Sequence, residues 1–196
     1  MALRGHLGSP PAAPLILAST SPQRRAILEQ LRIPFDVVGP DYDETEDDPV
    51  AHALGKARSV LAEADGRPVL GCDTEVLLDG RVYGKPAGPE DAEEMLESLS
   101  GRTHEVVSGL ALITPMWEEV RHEVTRVTMR GLTPRDIAWY VASGQWEGRA
   151  GGYAIQGRGA ALVERVEGDY FNVVGLPVAL LVRVLAERFP GTYGFG

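Results

Sequence analysis

The chain has 196 residues, 44% of them hydrophobic, which is enough for one α/β domain with its own core. Its formal net charge of −9, from 28 acidic and 19 basic residues, argues against a duplex nucleic-acid binder, which would present a basic face. The lone Cys72 excludes an internal disulfide and fits a reducing compartment, and no apolar run is long enough to span a membrane. The opening MALRGHLGSPPAAP lacks the apolar centre of a signal peptide. Residues 1–14 are therefore expected to form a loose tail on a single domain spanning 1–196, and the protein is expected to be cytoplasmic.

In chain order, Leu15 to Ala18 reads as a short buried strand. Ser21 then caps a helix that starts at Pro22 and runs to Leu31, a favourable pairing of cap and first residue. Arg24 and Arg25 sit in its first turn, where cations oppose the helix dipole. Their presence there makes sense if an anion lies between them and the free N–H groups of the helix start. The alternative is that both project into solvent. Phe35 to Val38 is a second strand, followed by DYDETEDD, Asp41 to Asp48, with six carboxylates in eight positions. Such a run is ordinarily a solvated loop, although one or two of its groups could reach a Mg²⁺ ion. Pro49 to Ala64 has helical spacing of Ala53, Leu54, Ala57, Val60 and Leu61, with Lys56 near its middle.

The stretch VLGCDTEVLLDGRVYGKP, Val69 to Pro86, is the centre of the reading. A strand carrying Asp73 and Thr74 turns at Asp79-Gly80, a strong hairpin signal, and the return arm brings Lys85 back toward Asp73. A carboxylate and an ammonium delivered together could be a base or metal ligand facing a phosphate clamp, or simply an ion pair at a hairpin end. Further on come a helix at Pro89–Leu99 and two long antiparallel strands at Thr103–Ile113 and Val120–Met129. A capped helix begins at Thr133-Pro134 and runs to about Val141. The glycine-rich Ser143 to Gly159 suits a loop approaching a ligand closely, with Gln156 a candidate reader of a base edge. A strand at Ala161–Val166 and a last helix at Pro177–Arg188 complete the pattern.

Four segments together carry a resemblance: LILASTSPQRRAILEQL, the GCDT…GKP hairpin, LSGRTHEVVSGLAL and AGGYAIQGRGAALVERVEGDYFNVVGLP. In this order they resemble Maf proteins, from about Leu15 to Leu185. The resemblance implies an elongated mixed β-sheet flanked by helices, with two lobes around a nucleotide cleft, in a homodimer. It implies a nucleoside triphosphate pyrophosphatase that uses Mg²⁺ or Mn²⁺ to cut the α–β phosphoanhydride. Carried onto this chain, it makes Ser21, Arg24 and Arg25 a phosphate-binding turn and Lys56 and Lys85 phosphate contacts. Asp73 becomes the acceptor of the water's proton, and Glu44 with Asp73 the metal-linked carboxylates. Thr74 and Gln156 match the branch acting on dTTP and UTP, whereas Gln23 stands where that branch has Arg, closer to the branch acting on 7-methyl-GTP. Gln145, Gly148 and Arg149 replace residues that are commonly Glu, Asp and Lys. The chain is expected to favour dTTP and UTP, the alternatives being 7-methyl-GTP hydrolysis or a non-catalytic regulator of division that binds nucleotide.

Overall fold

A computed structural model describes residues 13–44 and 48–196. The strands are β1 (Leu15–Ala18), β2 (Phe35–Val38), β3 (Val69–Leu78), β4 (Arg81–Tyr83), β5 (Thr103–Thr114), β6 (Trp117–Met129) and β7 (Val163–Glu167). The helices are α1 (Pro22–Gln30), α2 (Pro49–Ser59), α3 (Pro89–Leu99), α4 (Pro134–Val141), α5 (Tyr170–Val174) and α6 (Val178–Arg188). The strands form one mixed sheet in the order β2-β1-β3-β5-β6-β7, with β4 added beside β3. The β1 pairings with β2 and β3 are parallel and all others antiparallel. This is the α/β mixed sheet flanked by helices that the sequence led us to expect.

Alternation along the strands sorts the core into layers. Leu15, Leu17, Leu70, Cys72, Leu110 and Leu112 face α1 and α6, meeting Leu28, Leu181 and Leu185. Ile16, Ala18, Val69, Ala111 and Ile113 face the other way and pack on Ala53, Ala57 and Val60 of α2. The far end of the sheet has its own core, where Val76, Val106, Val127 and Met129 meet Leu96 of α3, Tyr140 of α4, and Tyr153 and Ile155.

Local chemistry explains most element ends. Proline opens α1, α2, α3 and α4, where its missing N–H costs nothing. Thr133 and Asp136 form a reciprocal capping box. Asp79 and Gly80 both adopt positive φ, as the tight β3–β4 turn requires. Helix α2 stops five residues short of the expected Ala64: the Ser59 hydroxyl donates back to the Lys56 carbonyl, Val60 leaves helical geometry and a 3₁₀ turn covers Leu61–Glu63. Ahead of the last helix, Asp169 caps the additional five-residue α5. Residues 1–12 of the expected tail and 45–47 of the acidic run lie outside the described residues.

Candidate active site

The site grows from an interruption in one strand's pairing. On one side β3 pairs with β5 along nearly its whole length. On its other side it pairs with β1 through Gly71 and with β4 only from Val76. Residues 72–75 thus form an open window between the two partner strands. Because neighbouring strand residues point to opposite faces, Asp73 and Thr74 reach this window from the two sides of the sheet.

A cleft of about 480 Å³ fills the window. That volume suits a drug-sized or nucleotide-sized ligand. One wall is the β1–α1 turn with Ser19, Ser21, Gln23 and Arg24. Glu44, Lys56, Asp73 and Thr74 line the middle, and the exposed Lys85 lies at the margin. Arg149, Tyr153, Ile155 and Gln156 of the glycine-rich segment form another wall, and Gly175 after α5 lines the cleft beside Arg24.

Helix α2 reaches Asp73 because two glycines let it lie directly on the sheet. A Cβ at Gly71 would fall 2.1 Å from the Ala53 carbonyl oxygen, and one at Gly109 2.0 Å from that of Pro49. Lys56 is therefore buried rather than an exposed helix lysine. Its Nζ donates to Asp73 Oδ1 and lies 2.5 Å from Glu44 Oε1. The Lys56 ammonium, followed by His52 and Lys85, holds the half-exposed Glu44 carboxyl below its usual range against the opposing effect of burial. One ammonium thus sits between two carboxylates, a group of three with one negative charge in excess, and Arg24, Lys85 and Arg149 line the cleft around it.

The predicted phosphate turn divides. Ser21 caps α1, its Oγ accepting from Arg24 N. Arg24 is buried, its Nε donating 2.8 Å to the Gly175 carbonyl, Nη1 to Ser19 Oγ and Nη2 to Thr74 Oγ1. It joins α1 to the α5 end and to β3 as part of the cleft wall. Arg25 is exposed and does not line the cleft. Gln23 receives the Ser21 hydroxyl at 3.2 Å, Lys85 is exposed at the cleft margin, and Gln156 is exposed on the far wall. Thr74 also shares a 2.8 Å hydrogen bond with Ser108.

The glycine-rich segment is tied down. Tyr140 Oη accepts from Ala154 N at 2.8 Å, and Gly151 N donates to Gly84 O at 3.0 Å, beside Lys85. Gly151 needs its positive φ, and a side chain there would press on Val76 at 3.1 Å. Buried Tyr153 Oη and His104 Nε2 share a 2.7 Å hydrogen bond. Burial lowers the His104 pKa to about 4 and raises that of Tyr153.

Sequence reasoning overlooked His52 and Glu75. His52 Nδ1 lies 3.4 Å from Asp73 Oδ2 and 3.6 Å from Glu75 Oε1. Two spacings could have flagged them: Glu75 is two residues from Asp73 on a strand, and His52 is one turn from Lys56 on a helix.

An open strand edge, a helix start, two lysines and paired carboxylates thus line one nucleotide-sized space in an α/β fold. The sequence matches the family described as Maf-like protein over residues 14–188, and the chain belongs to that family. It is 47% identical over 180 residues to the dTTP/UTP pyrophosphatase of Gloeobacter violaceus, covering 88% of this chain and 95% of that one. The dTTP/UTP pyrophosphatase of Moorella thermoacetica is 49% identical over 181 residues, covering 88% and 93%. That of Deinococcus radiodurans is 44% identical over 188 residues, covering 93% and 95%.

Proposed function

We propose that the protein is a nucleoside triphosphate pyrophosphatase that hydrolyses the α–β phosphoanhydride to a nucleoside monophosphate and pyrophosphate, favouring dTTP and UTP. The observation that carries this reading is the meeting of Asp73, Lys56, Glu44 and Lys85 in the strand window, beside the α1 start. Relatives named dTTP/UTP pyrophosphatase support the choice of base.

Phosphoryl transfer depends on positioning and on charge stabilisation. The triphosphate lies along the cleft, with Ser21 and the α1 N–H groups, Lys56 and Lys85 neutralising its oxygens. Lys56 fixes one Asp73 oxygen, which leaves the carboxylate oriented to take a proton from the attacking water. Gln156 offers an amide donor and acceptor, matching the O4 and N3–H edge of uracil or thymine. Arg24 acts from the wall, holding Thr74 and Gly175 in place.

A divalent cation fits the donors present. Glu44 and Asp73 already converge on one ammonium, their oxygens suit Mg²⁺ or Mn²⁺, and their residual charge would repel a triphosphate without a metal. Bound there, the ion would supply charge neutralisation at the phosphates. A homodimer and a cytoplasmic location are part of the proposal. Among the described residues no helix is long and apolar enough to cross a membrane.

The test of base choice is kcat/KM for dTTP, UTP, CTP and 7-methyl-GTP on the wild type and on Gln156→Glu. The wild type should favour dTTP and UTP, and the variant should change the ranking. A preference for 7-methyl-GTP in the wild type would overturn the pyrimidine reading. No release of pyrophosphate from any of the four would favour the non-catalytic binder.

A further inference from the structure

We propose that His52 is a positioning residue for Asp73, bridging it to the buried Glu75; this rests on the reading of Asp73 as the group that faces the water. The cleft reaches Lys56 and Asp73, while His52 and Glu75 lie behind them, 4% and 8% exposed. Asp73 and Glu75 are two residues apart on β3 and project from the same face, the one that α2 covers. His52 stands one helical turn before Lys56, so the two α2 side chains grip the Asp73 carboxylate together. Lys56 takes Oδ1, and His52 Nδ1 lies 3.4 Å from Oδ2.

The partners decide what the imidazole does. Nδ1 faces carboxylate oxygens of Asp73 and Glu75, and both are acceptors. A proton on Nδ1 would be donated to Asp73 Oδ2, with Glu75 Oε1 close beside it at 3.6 Å. The tight seat of α2 on Gly71 and Gly109 keeps the ring there, and Tyr42 covers it edge-on at 6.0 Å between ring centres. With one oxygen held by an ammonium and the other by an N–H, Asp73 cannot swing out of line with the anhydride. The same three groups lie close enough to gather a cation. However, they do so behind Asp73 rather than in the cleft, which favours the bridge.

The test compares His52→Leu, which removes the donor, with His52→Asn, whose amide N–H falls near the position of Nδ1. His52→Leu should lower kcat by about tenfold to a hundredfold with KM for UTP within about twofold, and His52→Asn should recover most of kcat. Wild-type kcat in His52→Leu, a loss confined to KM, or an Asn variant as impaired as Leu would overturn the proposal. Should His52→Leu fail to fold, Glu75→Leu, which removes the acceptor, carries the comparison: a loss in kcat alone supports the bridge, and wild-type kcat overturns it. Long-range ¹H–¹⁵N spectra of the wild type read the bridge without any turnover. They should show a proton on His52 Nδ1 at neutral pH. A bare Nδ1, the state in which the ring would ligate a cation, overturns the bridge even if the activity itself is confirmed. A protonated Nδ1 in a protein that turns over no triphosphate would instead count against Asp73's role.

Discussion

Gly71 of β3 lies under Ala53 of α2 so closely that a Cβ on the glycine would stand 2.1 Å from the Ala53 carbonyl oxygen. Backbone cannot yield as a side-chain tip can, so the contact sets the height of α2 above the sheet. That height in turn sets the reach of Lys56 and His52 to Asp73. Gly71→Ala should destabilise the fold by about 1–3 kcal/mol and lower kcat in the protein that remains folded. Urea unfolding and steady-state kinetics check this; unchanged values in both would mean that α2 shifts freely.

Arg24 and Lys85 should behave differently although both were read as phosphate contacts. Lys85 is exposed at the cleft margin, so Lys85→Ala should lose about 1.5–3 kcal/mol of transition-state stabilisation with little change in Tm. Arg24 is buried with three protein acceptors, so Arg24→Ala should lower both Tm and kcat/KM. Thermal melts beside kinetics on the two variants separate the roles.

Much of this architecture was legible in the sequence, and the division is physical. Helix starts were readable because their signals are local: a proline, a capping hydroxyl, and an acid three residues on at Asp136. The Asp79-Gly80 turn and the long β5–β6 pair were readable for the same reason. The role of Arg24 was not, because its partner Gly175 lies 151 residues away. The window in β3 was equally hidden, since it exists only where the ends of β1 and β4 fail to meet. His52 and Glu75 were masked by apolar neighbours on a helix and a strand. The short α5 escaped notice because five residues carry almost no periodicity.

Glu44→Gln should leave the fold intact and raise the concentration of Mg²⁺ needed for half-maximal activity by about tenfold or more, since an amide is a poorer ligand than a carboxylate. A metal titration at saturating UTP measures this. A wild-type metal requirement would make Glu44 a solvated residue of the acidic run.

His104 should make stability depend on pH. Its pKa is about 4 in the fold against 6.5 unfolded, with burial the cause. Between these values the unfolded chain binds the extra proton, so stability rises with pH across that window and falls as the solution is acidified through it. The shift corresponds to about 3 kcal/mol lost between neutral pH and about pH 4. In His104→Gln, whose amide can still pair with the Tyr153 hydroxyl either way, that component should vanish. Urea midpoints at the two pH values on wild type and variant compare them.

The central claim concerns which phosphoanhydride breaks at the β3 window. It is tested most directly by ³¹P NMR of UTP incubated with the protein and Mg²⁺, alongside Asp73→Asn. The account predicts equal amounts of UMP and pyrophosphate from the wild type and almost none from the folded variant. UDP with inorganic phosphate, or full turnover by Asp73→Asn, would contradict it.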